Sequence, residues 1–207
     1  RVCLFLVLPM SAGLMAVARP LISLIYGGGE FDAFSTEITA AALSWMALGM
    51  VGYAVQNILS RAYFARQQGR VPLIAGGVSI AANLALCQLL TGRFQVAGLA
   101  LSSAASATVY ALLLLLPLQR GGEKILDRAA LADLGKMLLA AALMGGCVWK
   151  ALGLLTSSLP AGKLGELICL GTCGALGVAL YFALALLLRV DEARLCVTLV
   201  KKTLKRG

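Results

Sequence analysis

Residues 96–118 read VAGLALSSAASATVYALLLLLPL, a run of 23 residues without a single charge. At a rise of about 1.5 Å per residue, a helix of this length crosses the roughly 30 Å hydrocarbon core of a bilayer. Leu and Ala dominate and strand-type alternation is absent, so the run reads as a helix and not as a strand of a barrel. Five further stretches repeat the pattern: Val2–Tyr26 with 25 residues, Ile38–Leu59 with 22, Pro72–Leu90 with 19, Leu134–Leu155 with 22 and Leu167–Leu188 with 22. The expected fold is all-α: a polytopic transmembrane helical bundle with six spans.

Composition agrees. Of 207 residues, 60% are hydrophobic and 13% charged, about half the charged share of an ordinary soluble domain. Mean hydropathy is +0.92. A soluble enzyme of this size needs more polar surface, and disorder needs low hydrophobicity with high charge. The chain has no His, which removes the commonest general base and metal ligand. Six Cys are scattered without a CxxC pair, so neither a zinc knuckle nor a thioredoxin-like site is indicated. Cys169 and Cys173 would share a helix face, where small apolar filling is the simpler reading. No GxxxxGK[ST], HExxH or GxSxG occurs, no carboxylates pair inside a span, and no cofactor is expected. Glu37 and Glu166 fall at helix starts, where a carboxylate suits the helix dipole. The chain begins at Arg1 and its first apolar run is too long for a signal peptide. The expectation is a piece of a longer protein that packs against preceding helices.

The connections alternate in character. Gly27–Asp32 is flexible and acidic; Arg61–Arg70 is basic; Thr91–Gln95 is short; Gln119–Asp133 carries Arg120, Lys124 and Arg128; Thr156–Glu166 is short; the tail after Leu188 holds six basic residues. Placing Arg1, the second and fourth loops, Lys136 and the tail on one side collects 14 of the 18 basic residues there. Arg19, Arg93, Lys150 and Lys163 remain on the other. The positive-inside rule then puts both ends in the cytoplasm. The net charge of +9 is accounted for by this topology and by contact with anionic membrane lipid, and nothing else favours nucleic acid. Glu123–Asp133 has apolar residues at helical spacing and suits an interfacial helix, and the tail suits a membrane-hugging basic segment.

Few polar residues fall inside the spans, where hydrocarbon penalises them. Arg19 lies close enough to a span end to snorkel. Pro9 and Pro20 are placed to kink the first helix. Asn57 and Arg61 are four apart and share a face at the end of the second span. They read either as a hydrogen-bonded helix end or as a polar lining that meets an anionic headgroup. Asn83 sits deep in the third span, where interhelical hydrogen bonding is the simpler role. Gly98, Ser102 and Ser106 recur every four residues and mark a helix-packing seam.

Several of these segments resemble one family. Pro20–Phe31 through Thr36, with its Pro-led apolar run, aromatic, Gly-rich turn with Phe, and Thr, is similar to the turn after a mid-chain helix in the MurJ/MviN lipid II flippases. Ala62-Tyr63-Phe64-Ala65-Arg66-Gln67 followed by Pro72 resembles that family's cytoplasmic loop. Asn83-Leu84 and Val96–Ser102 resemble its next two helices. The likeness covers Arg1 to about Leu118; from Leu134 onward it rests on helix count and the basic tail. The family often has Asp and Thr where this chain has Gln68 and Val71, and a second Asn in place of Cys87.

The resemblance implies part of a two-lobed exporter of the multidrug/oligosaccharidyl-lipid/polysaccharide (MOP) superfamily. Residues 1–118 would be the last four helices of the second lobe, 119–133 a cytoplasmic interfacial linker, 134–188 two extra C-terminal helices and 189–207 a basic cytoplasmic tail. It implies a bacterial inner-membrane transporter, not an enzyme, whose partner is an undecaprenyl-linked peptidoglycan precursor moved from inner to outer leaflet. The family's anion-binding arginines lie mostly in helices preceding this stretch. Asn57, Arg61, Arg66, Gln67 and Asn83 are the substrate or gate candidates, with the Arg66-Gln67 loop foremost. The alternatives are a cation-coupled drug or polysaccharide exporter, which wants an acidic residue deep in a span, and a non-transporting membrane scaffold subunit.

Overall fold

The structure is a computed structural model that describes residues 2–27, 32–120, 128–158 and 163–188. Among these residues every element is helical: α1 Val2–Tyr26, α2 Ala33–Ala65, α3 Arg70–Gly92, α4 Phe94–Gln119, α5 Arg128–Ser158 and α6 Lys163–Leu187. All six are long and apolar enough to cross a bilayer. The expected second span, Ile38–Leu59, is the apolar centre of a longer helix. At 33 residues, α2 measures roughly 50 Å and outreaches the hydrocarbon at its ends.

The expected loop over Thr91–Gln95 is almost absent. Helical backbone runs from Arg70 to Arg120 and breaks at Gln95 alone, where φ is 49° and ψ is −126°. The chain reverses there, so α3 and α4 form a hairpin. A Cβ on Gly98 would stand 2.6 Å from the carbonyl oxygen of Leu90, and only glycine fits so close to the reversal. Of the expected interfacial helix, residues 123–127 lie outside the described residues; from Arg128 the backbone is continuous with α5. The basic tail lies outside them too.

The chain divides into two compact units, Leu14–Ile125 and Arg1–Gly13 with Leu126–Gly207, so that α1 contributes to both. In the first, α2 packs on α4 at a glycine pair. A Cβ on Gly49 would meet the Ala104 Cβ at 2.7 Å, and one on Gly52 would meet the Thr108 nitrogen at 3.0 Å. Inside a bilayer lipid is as apolar as Leu, so close backbone packing and hydrogen bonds hold helices together, and small residues permit both. Leu59, Tyr63, Ala75, Leu114 and Leu118 form a core beside this seam, and Ala18 and Ile22 of α1 pack against Ala40 of α2.

In the second unit, the start of α1 packs with α5 and α6. Met144 of α5 touches both Gly13 and Gly177, where added Cβ atoms would lie 3.5 Å from its Cε and 3.8 Å from its Sδ. Phe5 stacks obliquely on Tyr181 at 5.2 Å and edge-on to Phe182 at 5.9 Å. Cys169 and Cys173 are buried in this packing.

Candidate functional site

The basic turn between α2 and α3 is a tightly ordered structure. Arg66 caps α2, its backbone N–H shared between the carbonyls of Ala62 at 3.3 Å and Tyr63 at 3.2 Å. Gln67 adopts φ 58°. Its N–H donates to Phe64 O at 3.0 Å, and Gln68 N–H donates to Tyr63 O at 3.0 Å. These two bonds make a Schellman cap, a place normally given to glycine because the left-handed backbone crowds a Cβ. Two further bonds, Val71 N to Gln68 O and Leu73 N to Gly69 O, each 3.3 Å, start α3 at once.

Two tyrosines pin the turn to α4. The buried Tyr63 hydroxyl donates to Leu114 O at 2.8 Å. The Tyr110 hydroxyl donates to Pro72 O at 3.2 Å, which leaves Ser60 Oγ, 3.3 Å away, to donate to Tyr110. One tie holds the end of α2 and the other the start of α3. The side chains of Arg61, Arg66, Gln67 and Arg70 are exposed on this fixed support. Phe64 beside them is 61% exposed.

The candidate residues separate into three places. Arg61, Arg66 and Gln67 come together at the turn. Asn57 shares the exposed face of Arg61, but its Nδ2 donates back to Tyr53 O in its own helix at 3.0 Å. Asn83 stands apart, 13 residues into α3 from Arg70, roughly 20 Å along the helix. The expected interhelical bond from it is incomplete: its Oδ1 is buried and has no hydrogen-bond partner among the described residues. Gly98, Ser102 and Ser106 lie along α4. Ser102 Oγ donates to Leu99 O at 2.8 Å and Ser106 Oγ to Ser103 O at 2.9 Å, while the carbonyl of Ser106 accepts from Ser79 of α3 at 2.8 Å.

Sequence reasoning missed the Gly49/Gly52 seam and the tyrosine ties. The seam had a signal, two glycines three apart on one apolar helix. The ties had none, because a carbonyl acceptor is invisible in side-chain identity. Among the described residues, no three of His, Cys, Asp and Glu gather as a metal site.

Residues 1–168 match the family model described as "Lipid II flippase MurJ". The chain belongs to the MurJ family. It is 29% identical over 206 residues to "Probable lipid II flippase MurJ" of Rhizobium meliloti (strain 1021), covering 99% of this chain and 38% of that protein. It is 29% identical over 204 residues to the protein of the same name from Thermotoga maritima, covering 99% of this chain and 38% of that one. With "Lipid II flippase MurJ" of Burkholderia cenocepacia it shares 30% identity over 186 residues, 89% of this chain and 36% of the relative. The solved structure titled "Lipid II flippase MurJ, inward closed conformation" superposes with a TM-score of 0.71 at 21% identity, over 90% of this chain and 37% of that one. At that identity the likeness concerns the fold alone, an all-helical arrangement with six helices long and apolar enough to cross a membrane. The chain spans under two-fifths of the length of these MurJ proteins.

Proposed function

We propose that this chain contributes six helices to a flippase that carries a lipid-linked peptidoglycan precursor, lipid II, from the inner to the outer leaflet by alternating access. It acts as a transporter and performs no covalent chemistry. The observation that carries this reading is the match of residues 1–168 to the family model. The all-helical fold with six apolar spans supports it. In this reading residues 1–118 are the last four helices of the second lobe, 119–133 an interfacial linker, 134–188 two added helices and 189–207 a cytoplasmic tail. The membrane is the bacterial inner membrane with both ends of the chain cytoplasmic, supported by the 14 basic residues on one side against four on the other. The α2–α3 turn then faces the cytoplasm. Arg61, Arg66 and Gln67 there meet the precursor's pyrophosphate or gate its entry, with Asn57 and Asn83 lining the way.

The deciding experiment is complementation. The intact protein restores growth to bacteria depleted of their own lipid II flippase. Failure to do so, with normal membrane insertion, overturns the reading.

A further inference from the structure

The packing of α5 with α6 holds two thiols that the transport reading does not use. Cys169 and Cys173 are 3% and 1% exposed, and their side chains share a hydrogen bond. Four residues apart, they stand on one face of α6. One turn further along that face, a Cβ on Gly177 would lie 3.1 Å from Val148 Cγ2 of α5. The pair therefore faces protein, and its burial is complete within this unit. Elsewhere the unit fills small spaces with Ala140, Ala141 and Ala185, which bring no ligand chemistry.

Spacing sets what two such thiols can do. A disulfide needs Cβ atoms about 3.5–4.5 Å apart, whereas residues i and i+4 of a helix hold theirs about 5–6 Å apart. The pair stays reduced for as long as α6 stays helical. A cation held in line by two sulfurs at about 2.3 Å each needs them about 4.6 Å apart, a separation that a small opening of the hydrogen-bonded pair supplies. Two ligands are too few for structural zinc, which takes four, and soft sulfur donors favour copper(I).

We propose that Cys169 and Cys173 bind one soft monovalent cation, copper(I) in class, in line between their sulfurs. One thiol loses its proton to solvent and the other keeps its own. The cation, one thiolate and one thiol then make a neutral complex, and no electron moves. Neutrality matters because an uncompensated charge is costly in buried packing. Glu166, in the first turn of α6 and three residues before Cys169, offers an arriving cation a carboxylate. The proposal rests on the packing of this unit and is independent of the flippase reading.

For the test, every cysteine of the intact protein except this pair is replaced by Ser. The protein is titrated in detergent, without oxygen, with copper(I) against the chromophoric chelator bathocuproine disulfonate. It withdraws one copper per chain. Cys169→Ser and Cys173→Ser each weaken binding by at least about 100-fold, since each removes a ligand outright and loss of an outer-shell partner alone costs up to about that much. X-ray absorption of the bound copper finds two sulfurs and no nitrogen or oxygen. Undiminished binding in either Ser variant overturns the proposal, as does nitrogen or oxygen ligation, or a pair-only protein that melts like wild type and takes up no copper. If the pair-only protein melts low, the two Ser changes are made in the otherwise unaltered protein, where bound copper falls by one per chain; an unchanged count overturns the site. Growth support in flippase-depleted cells is a separate readout, and a variant that loses copper keeps it.

Discussion

Tyr181 donates its hydroxyl to the carbonyl oxygen of Phe5 at 2.9 Å, across 176 residues of sequence. That carbonyl is the one Pro9 leaves without a helical donor, since residue 9 would normally supply the N–H and proline has none. The hydroxyl is buried, so no water replaces it. The missing N–H and its remedy are parts of one arrangement, with the rings of Phe5 and Phe182 packed around the tyrosine.

Removing the hydroxyl therefore has a context-dependent effect. Tyr181→Phe destabilises the intact protein by about 1–2 kcal/mol, the usual result of orphaning a buried acceptor. In a Pro9→Ala background residue 9 regains its N–H, Phe5 O is satisfied within α1, and the same change costs less than half as much. Thermal unfolding in detergent of the four proteins in this cycle measures the coupling; equal losses in both backgrounds would refute it.

The α2–α4 seam leaves no room at Gly49. Gly49→Ala places a methyl 2.7 Å from the Ala104 Cβ and destabilises by about 1–3 kcal/mol through overpacking. Ala104→Gly in the same protein restores much of the loss. A melting series shows it, and a Gly49→Ala variant as stable as wild type would mean that the two helices separate easily.

Gln67 separates backbone shape from side-chain chemistry. Its φ of 58° penalises any residue with a Cβ by about 1 kcal/mol. Gln67→Gly accordingly raises stability slightly, and Gln67→Val lowers it, because a β-branched residue resists this region most. If the amide touches the transported lipid, the Gly variant loses transport while gaining stability. Transport retained alongside greater stability assigns Gln67 to the turn alone.

Arg66 is tested by charge. Arg66→Ala leaves the cap in place, because the cap is made by backbone N–H groups, so expression and melting stay near wild type. Growth support in flippase-depleted cells falls by at least about tenfold if the guanidinium meets pyrophosphate, in line with the roughly 1.5–3 kcal/mol of a charged hydrogen bond. Undiminished growth removes Arg66 from the site.

How far the sequence reveals such a molecule depends on which atoms carry the information. Spans such as Val96–Leu118 are legible because hydrocarbon tolerates little except apolar side chains. Their true ends are less so: the helix that holds Ile38–Leu59 extends to Ala33 and Ala65, since polar residues outside the hydrocarbon neither forbid nor demand helix. The turn at Arg66–Gln67 stands out by its charge, yet its geometry depends on Gln67 accepting a conformation usually left to glycine. Asn83 is legible as polar in an apolar run, but the group that would satisfy its Oδ1 is not among the described residues. The Tyr63 and Tyr110 ties end on backbone oxygens, which every residue offers alike.

The reversal at Gln95 has a practical bearing on biogenesis. Because the backbone from Arg70 to Arg120 departs from helix at Gln95 alone, α3 and α4 are joined without slack, a geometry that favours their entering the bilayer together as a pair. Reporter domains spliced into that bend would pry the pair apart and report on their own disturbance. Single cysteines probed with impermeant reagents are the gentler way to learn which side of the membrane the bend occupies.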